Sequence, residues 1–343
     1  MTYATGGRIQ AADHNSASTY LADIWGVGNG RFGYGQSTTY IAPVAVGDLI
    51  RNDEWNNLDT VLELTTQHQA IVPYVPSSYD PGFVSVVGGT SIRPWTHYVP
   101  YIQRSYANCG NVYSVTDSVA DTTTYTGYWG HDNSRTLSMT QTLTFASADA
   151  ARYFFNSGGK IKLSFAHTGG ITSRDSLWRR LCTDAGTIEI GYQNTKKLGG
   201  NALATDYTIL NNNNGGYWAN MNGHPLEHYR QFPSISNSPY GYGYGYGYGY
   251  NNPYYYNSYY GGQDTLDYIQ VLVSTAGSAG THGGLGVDLV ITTNFVNGTI
   301  ISPTGNDFVT GTTTTSLIKA APGLSYITPS WGSIDFRGAT SLV

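Results

Sequence analysis

The chain has 343 residues, a length that suits two or three domains. Only 11% are charged and the net charge is −5, with acids and bases scattered and no basic stripe; this excludes the electrostatic footprint of a nucleic-acid binder. Charge gives way to 43 Gly, 30 Tyr and many Thr, Ser and Asn, residues of strands and turns, so the expected class is mainly β. Surfaces of such neutral groups attract one another with little charge repulsion, a hint of permanent assembly. No run approaches the roughly 18 apolar residues of a membrane span. Met1 to Gly7 lacks the basic flank and apolar core of a signal peptide. The expectation is a soluble chain with no nucleic-acid partner and no membrane span.

The first elements form a duplication. Gly7-Arg8-Ile9 leads into Ala12-Asp13-His14-Asn15, then Ala17, Tyr20, Leu21 and Ile24 at helical spacing. Gly47-Asp48-Leu49-Ile50 leads into Asp53-Glu54-Trp55-Asn56-Asn57, then Leu58, Val61, Leu62 and Thr65. Ile9 matches Ile50, Asp13 matches Glu54, His14 matches Trp55 and Asn15 matches Asn56. Each apolar stripe is too narrow to stand alone, so the helices should pack on each other or on neighbouring copies. Tyr20, Leu21, Ile24, Trp55, Leu58 and Leu62 are the candidate docking residues. A glycine-rich turn from Gly26 to Gly35 and a strand from Thr38 to Val46 are expected between the copies.

Residues 76–135, with Pro76, Pro81, Pro94 and Pro100, read as short strands and loops. Met139, Gln141, Leu143 and Phe145 then alternate with threonines, the period of a half-buried strand. Ser147 is a good N-cap, Asp149 suits the first turn of a helix, and Gly158 or Gly159 can end it in a left-handed conformation. Ile161, Leu163 and Phe165 form the inner face of the next strand. A second such unit follows: a helix from Asp175 to Asp184, a stop at Gly186, and a strand carrying Ile188, Ile190 and Tyr192 inward. Later strands cover Ile269 to Val273 and Val287 to Ile291; in the latter region Asp288, Thr292 and Asn294 face outward and Val290 breaks the pattern. The predicted architecture is an antiparallel β-sandwich-like domain with short helices, preceded by a small region with two similar helices. The expected boundaries are 1–75, 76–135 and 136–343.

Gln231 to Gln263 holds eleven of the 30 tyrosines and no charged residue. Tyr240, Tyr242, Tyr244, Tyr246, Tyr248 and Tyr250 alternate with glycine, and Tyr254, Tyr255 and Tyr256 follow. In an extended chain the alternating rings share one side. One reading is an elaborated surface loop. The other is a contact surface for protein or sugar, since Tyr offers large amphipathic area at low entropic cost.

Chemical motifs are weak. Gly28-Asn29-Gly30-Arg31-Phe32-Gly33 matches GxGxxG but follows a helix instead of a strand, and no helix is expected after it. His224-Pro225-Leu226-Glu227-His228 matches HxxEH, a zinc-peptidase signature that needs both histidines on one helical face. Pro225 and the flanking Asn, Gly and Pro argue against a long helix there. Asp13, Asp48, Asp53 and Glu54 read as caps and first-turn charges. His14, His68, His97, His131, His167 and His282 stand alone and read as structural or exposed. Cys109 and Cys182 form no CxxC pair; free thiols or one bridge are both open. No catalytic residue, metal ligand or cofactor is expected.

Ala151-Arg152-Tyr153-Phe154-Phe155-Asn156-Ser157-Gly158-Gly159-Lys160-Ile161 resembles a string in virion structural proteins of contractile-tailed bacteriophages, cyanophages among them. Ile9 to Asn15, Phe32-Gly33-Tyr34-Gly35-Gln36, Gly47 to Leu58, Thr168-Gly169-Gly170, Asp175-Ser176-Leu177-Trp178, Ala185-Gly186-Thr187-Ile188 and Ser238-Pro239-Tyr240 are similar to the same group. The tyrosine-glycine stretch departs from it. The resemblance implies a non-enzymatic component of the tail, baseplate or neck, with a fibre-attachment point among the options. Its partners would be copies of itself and other virion proteins, and its place the virion, assembled in the host cytoplasm. The alternative is a receptor-binding module whose Tyr-rich loop meets a host surface glycan or protein; a metallopeptidase through HxxEH ranks below both.

Overall fold

The computed structural model describes residues 11–28, 32–48, 50–69, 95–107, 109–110, 115–130, 135–192, 194–200, 208–210, 226–231, 267–275, 287–297 and 308–343. The fold is mainly β, with its N-terminal part helical. The chain divides into two compact units, and neither is contiguous in sequence. One takes Met1–Asp117, Phe145–Lys160 and Ala320–Ser333; the other takes Ser118–Thr144, Ile161–Lys319 and Ile334–Val343. The expected boundaries at 75 and 135 do not follow this division.

The first unit is built on α1 (Ala11–Trp25), α2 (Asn52–His68), α3 (Trp95–Ala107) and α4 (Ala148–Asn156). The duplicated helices α1 and α2 do pack together. The equivalent rings of His14 and Trp55 meet with centroids 5.7 Å apart. Leu21, Ile24, Trp55, Leu58 and Leu62 are all buried.

Thr38 to Val46 is not a strand. It holds a short 3-10 helix, Thr39–Ile41, and its backbone bonds to side chains instead of to a sheet. Asn15 bonds both polar groups of Val44 (2.9 and 2.8 Å), Ser18 donates to the Ile41 carbonyl, and Asn57 donates to Tyr40 O (2.9 Å). Buried or half-buried backbone groups must find partners, and helix-borne Asn and Ser supply them as well as a neighbouring strand would. In the region expected to be loops and short strands, α3 runs on through Pro100, whose missing N–H forfeits one helical bond.

α4 behaves as its sequence promises. Ser147 Oγ accepts from Ala150 N–H at 3.0 Å, and Gly158, at φ 89°, lets the chain turn away. Its rings complete the core: Phe154 meets Phe155 edge-on at 5.1 Å and Trp331 at 5.8 Å, and Phe145 at 5.9 Å. Its polar residues seize the glycine turn. Arg152 Nη1 donates to Phe32 O (2.6 Å) and Asn156 Nδ2 to Gly33 O (3.2 Å). That turn in turn satisfies the end of α1, with Tyr34 N–H on Ile24 O (3.0 Å) and Gln36 N–H on Trp25 O (2.9 Å).

The second unit is a sandwich of two antiparallel sheets. The five-stranded sheet has the order β1 (Val115–Thr126), β10 (Thr312–Pro322), β3 (Lys160–Thr168), β4 (Thr187–Ile190), β5 (Thr195–Leu198). The six-stranded sheet has the order β11 (Ile334–Leu342), β2 (Thr136–Phe145), β9 (Asp288–Val296), β8 (Tyr268–Thr275), β7 (Leu226–Gln231), β6 (Thr208–Leu210). Strict alternation of buried and half-buried residues along β2, β8 and β9 fixes which face is inward. In β9 Val290 occupies an outward position between Thr142 and Ser274, so the geometric alternation is unbroken there. Phe295 links the layers, 6.2 Å from Phe165 and 5.9 Å from Trp178. Trp178 belongs to α5 (Ser173–Ala185), which ends at Gly186 with φ 65°.

Two outcomes are expected. Phe154→Ala removes a ring from the first unit's core and should lower stability by about 3–5 kcal/mol, read by urea denaturation. His68 is buried, and burial pulls its pKa from 6.5 to about 4 against the opposing hydrogen bond to Ser157 O (3.0 Å). The neutral form is therefore the folded one. Its contribution is present above pH 6.5 and is lost as pH falls towards 4, on the order of 3 kcal/mol. His68→Gln should flatten that part of the stability–pH curve.

Candidate functional site

The candidate tyrosines Tyr240, Tyr242, Tyr244, Tyr246, Tyr248, Tyr250, Tyr254, Tyr255 and Tyr256 lie outside the described residues. Of the candidate docking residues, Leu21, Ile24, Trp55, Leu58 and Leu62 are buried in their own unit, where α1 and α2 pack on each other, the first of the two arrangements expected for them. Their apolar stripes find each other, which is what narrow stripes need. Only Tyr20 of that set is exposed.

HxxEH does not form a helical site. Leu226, Glu227 and His228 lie in strand β7; His224 is outside the described residues. Glu227 is held by Arg230, Nε to Oε1 at 2.5 Å and Nη2 to Oε2 at 3.0 Å, and also accepts from Gln270 (3.0 Å). A carboxylate so engaged is poorly placed to activate water. Among the described residues no group of three or more His, Cys, Asp or Glu comes together to hold a metal. The described part of the GxGxxG segment sits at the C-terminal end of α1, where helix carbonyls would repel a pyrophosphate. Cys109 and Cys182 are buried free thiols, and burial pushes the Cys182 pKa up, away from thiolate chemistry.

One arrangement mimics a catalytic triad. His167 Nδ1 lies 3.0 Å from Thr313 Oγ1, and His167 Nε2 lies 3.3 Å from Asp175 Oδ1. Yet the side chains of His167 and Asp175 are 0% exposed, so no substrate reaches them. Asp175 is also saturated. It accepts from Thr310 N–H (2.7 Å), Thr310 Oγ1 (2.7 Å) and Thr172 N–H (2.8 Å). Burial works to raise its pKa, but these donors outweigh it and hold the carboxylate below its ordinary range. Burial keeps His167 below its ordinary value despite Asp175 beside it. The group clamps the N-terminus of α5 to β3 and β10. Thr172-x-x-Asp175 is readable in sequence as a capping box; the pairing with His167 and Thr310 is not, because it crosses the fold.

What remains accessible is surface. Outward side chains of the six-stranded sheet join into a polar ladder: Ser138 to Asn294 (2.8 Å), Asn294 to Gln270 (3.1 Å), Gln270 to Glu227 and on to Arg230, which lies 4.8 Å from the Tyr268 ring centre. On the other sheet Thr124 meets Thr314 (3.3 Å) and Thr126 meets Thr312 (3.0 Å). These faces can bind by hydrogen bonding and contact area.

No protein-family model, no curated protein and no solved structure matches the chain.

Asp175→Asn should cost about 3 kcal/mol in chemical denaturation, because one carboxylate oxygen becomes a donor facing donors. An unchanged midpoint would remove the clamp from this account.

Proposed function

We propose that the chain is a non-enzymatic structural component of a tailed-phage particle, in the tail, baseplate or neck, working through contacts with copies of itself and with other virion proteins. One observation carries the reading. Two of the strings that resemble virion proteins, Ala151–Ile161 and Phe32–Gln36, are far apart in sequence and bonded in the fold, through Arg152 to Phe32 O and Asn156 to Gly33 O. Gly35 completes the fit: a Cβ there would lie 2.6 Å from Tyr153 Cδ2. The resemblance thus covers a coherent packing unit and not scattered glycines. The accessible sheet faces, sparsely charged and hydrogen-bonding, suit standing contacts. Mass spectrometry of purified particles of the phage encoding the chain should detect it in stoichiometric amount; its absence from intact particles would end the reading.

A second reading, receptor binding, rests on the uncharged segment with eleven tyrosines. Deleting residues 240–260 should then abolish adsorption to host cells while particles still assemble. Unchanged adsorption would count against it.

A further inference from the structure

Polar side chains gather inside the first unit, where the end of α2, α3, the end of α4 and the glycine turn meet. Gln69 Nε2 donates to Tyr34 OH (2.5 Å) and to the Ser105 carbonyl (2.9 Å). His68 lies edge-on to Tyr34, with ring centres 5.1 Å apart, and its Nε2 donates to the Ser157 carbonyl at 3.0 Å. Asn156 Nδ2 donates to Gly33 O (3.2 Å), one residue before Tyr34. Each contact shares a residue or a chain neighbour with the next, so the group is one cluster. Gln69, Ser105, Asn156 and Ser157 are all 0% exposed.

Both amides are fixed in orientation by their partners. A carbonyl only accepts, so the nitrogen of Gln69 must face Ser105 O and that of Asn156 must face Gly33 O. Gln69 Oε1 and Asn156 Oδ1 are therefore the atoms that turn away, and neither meets a donor among the described residues. Ser105 Oγ and Ser157 Oγ, in the same cluster, meet no partner there either, and nor does Thr65 Oγ1, one helical turn before Gln69. Buried polar atoms in native proteins are paired with protein or with ordered water, and exceptions are few. Five such atoms in one small region point to a partner that is not protein.

We propose that this cluster is a binding site for internal water. Ordered water donates to Gln69 Oε1 and Asn156 Oδ1 and exchanges hydrogen bonds with the hydroxyls of Ser105 and Ser157. Water matches the set because it supplies what the set lacks: two amide oxygens need donors, and each hydroxyl can both give and take. The set contains no carboxylate, and among the described residues no group of His, Cys, Asp and Glu forms that could hold a metal, so the ligand is water and not a metal cation. Water so held joins α2, α3 and α4 at their polar positions, where direct side-chain contact leaves bonds unmade. The site goes beyond the particle reading and does not depend on it.

The sign of a stability change separates a wet cluster from a dry one. In a dry cluster Ser157→Ala removes a buried hydroxyl that has no partner, and the urea midpoint of the full chain rises. In a wet cluster the same change takes a partner from a bound water, and the midpoint falls. Ser105→Ala is the second variant. Alanine is the better helix former, so intrinsic propensity in α3 works against the expected fall. Both variants should unfold at lower urea than the wild-type chain. A crystal structure of the wild-type chain should also show water about 3 Å from Gln69 Oε1 and from Asn156 Oδ1. Midpoints that rise or hold in both variants, or amide oxygens bonded to protein donors with no water beside them, would overturn the proposal.

Discussion

The sandwich depends on a buried carboxylate. Asp175 brings a negative charge to the N-terminus of α5, where the helix dipole favours it, and commits its lone pairs to groups from three separate segments. Thr172 N–H belongs to the helix start, Thr310 to the approach to β10, and His167 to β3. Geometry leaves no slack around it. Gly170, at φ 71°, passes so close that a Cβ would overlap the carboxylate, and Gly311, at φ 80°, lies against the Thr168 carbonyl. Both glycines are required by the turn and by the approach. A buried ion pair, Arg174 with Asp267, ties the same helix to the start of β8. One short helix thereby links both sheets, and Trp178 on its inner side packs against Phe295 between them.

Much of this is legible in the sequence because the signals are local. Ser147, Gly158 and Gly186 mark helix ends by chemistry that acts within a few residues, and the Thr-alternating strands declare their inner face by period alone. The departures share a cause. α3 carries Pro100, and a proline inside a helix reads as a break when the packing that tolerates it is out of sight; Ile102 and Ser105 of that helix are buried. Thr38 to Val46 has strand-like composition, but Asn15, Ser18 and Asn57 capture its backbone first. The division into units is hidden for a topological reason. α4 is flanked by strands β2 and β3, yet its Phe154, Phe155, Arg152 and Asn156 serve the helical unit. No local window shows that a helix deserts the strands it connects.

The duplication is visible in the sequence, and its consequence is not. Matching helices with narrow apolar stripes suggest a docking surface. In the fold those stripes close on one another, His14 against Trp55, so the repeat serves internal packing. Apolar pattern identifies what must be covered and leaves open what covers it.

Low charge has a structural counterpart here. Side chains on the outer faces bond to one another, as in the ladder from Ser138 to Arg230 and the threonine pairs of β1 and β10, so the hydrogen-bonding capacity of these faces is met largely by uncharged groups within the same sheet.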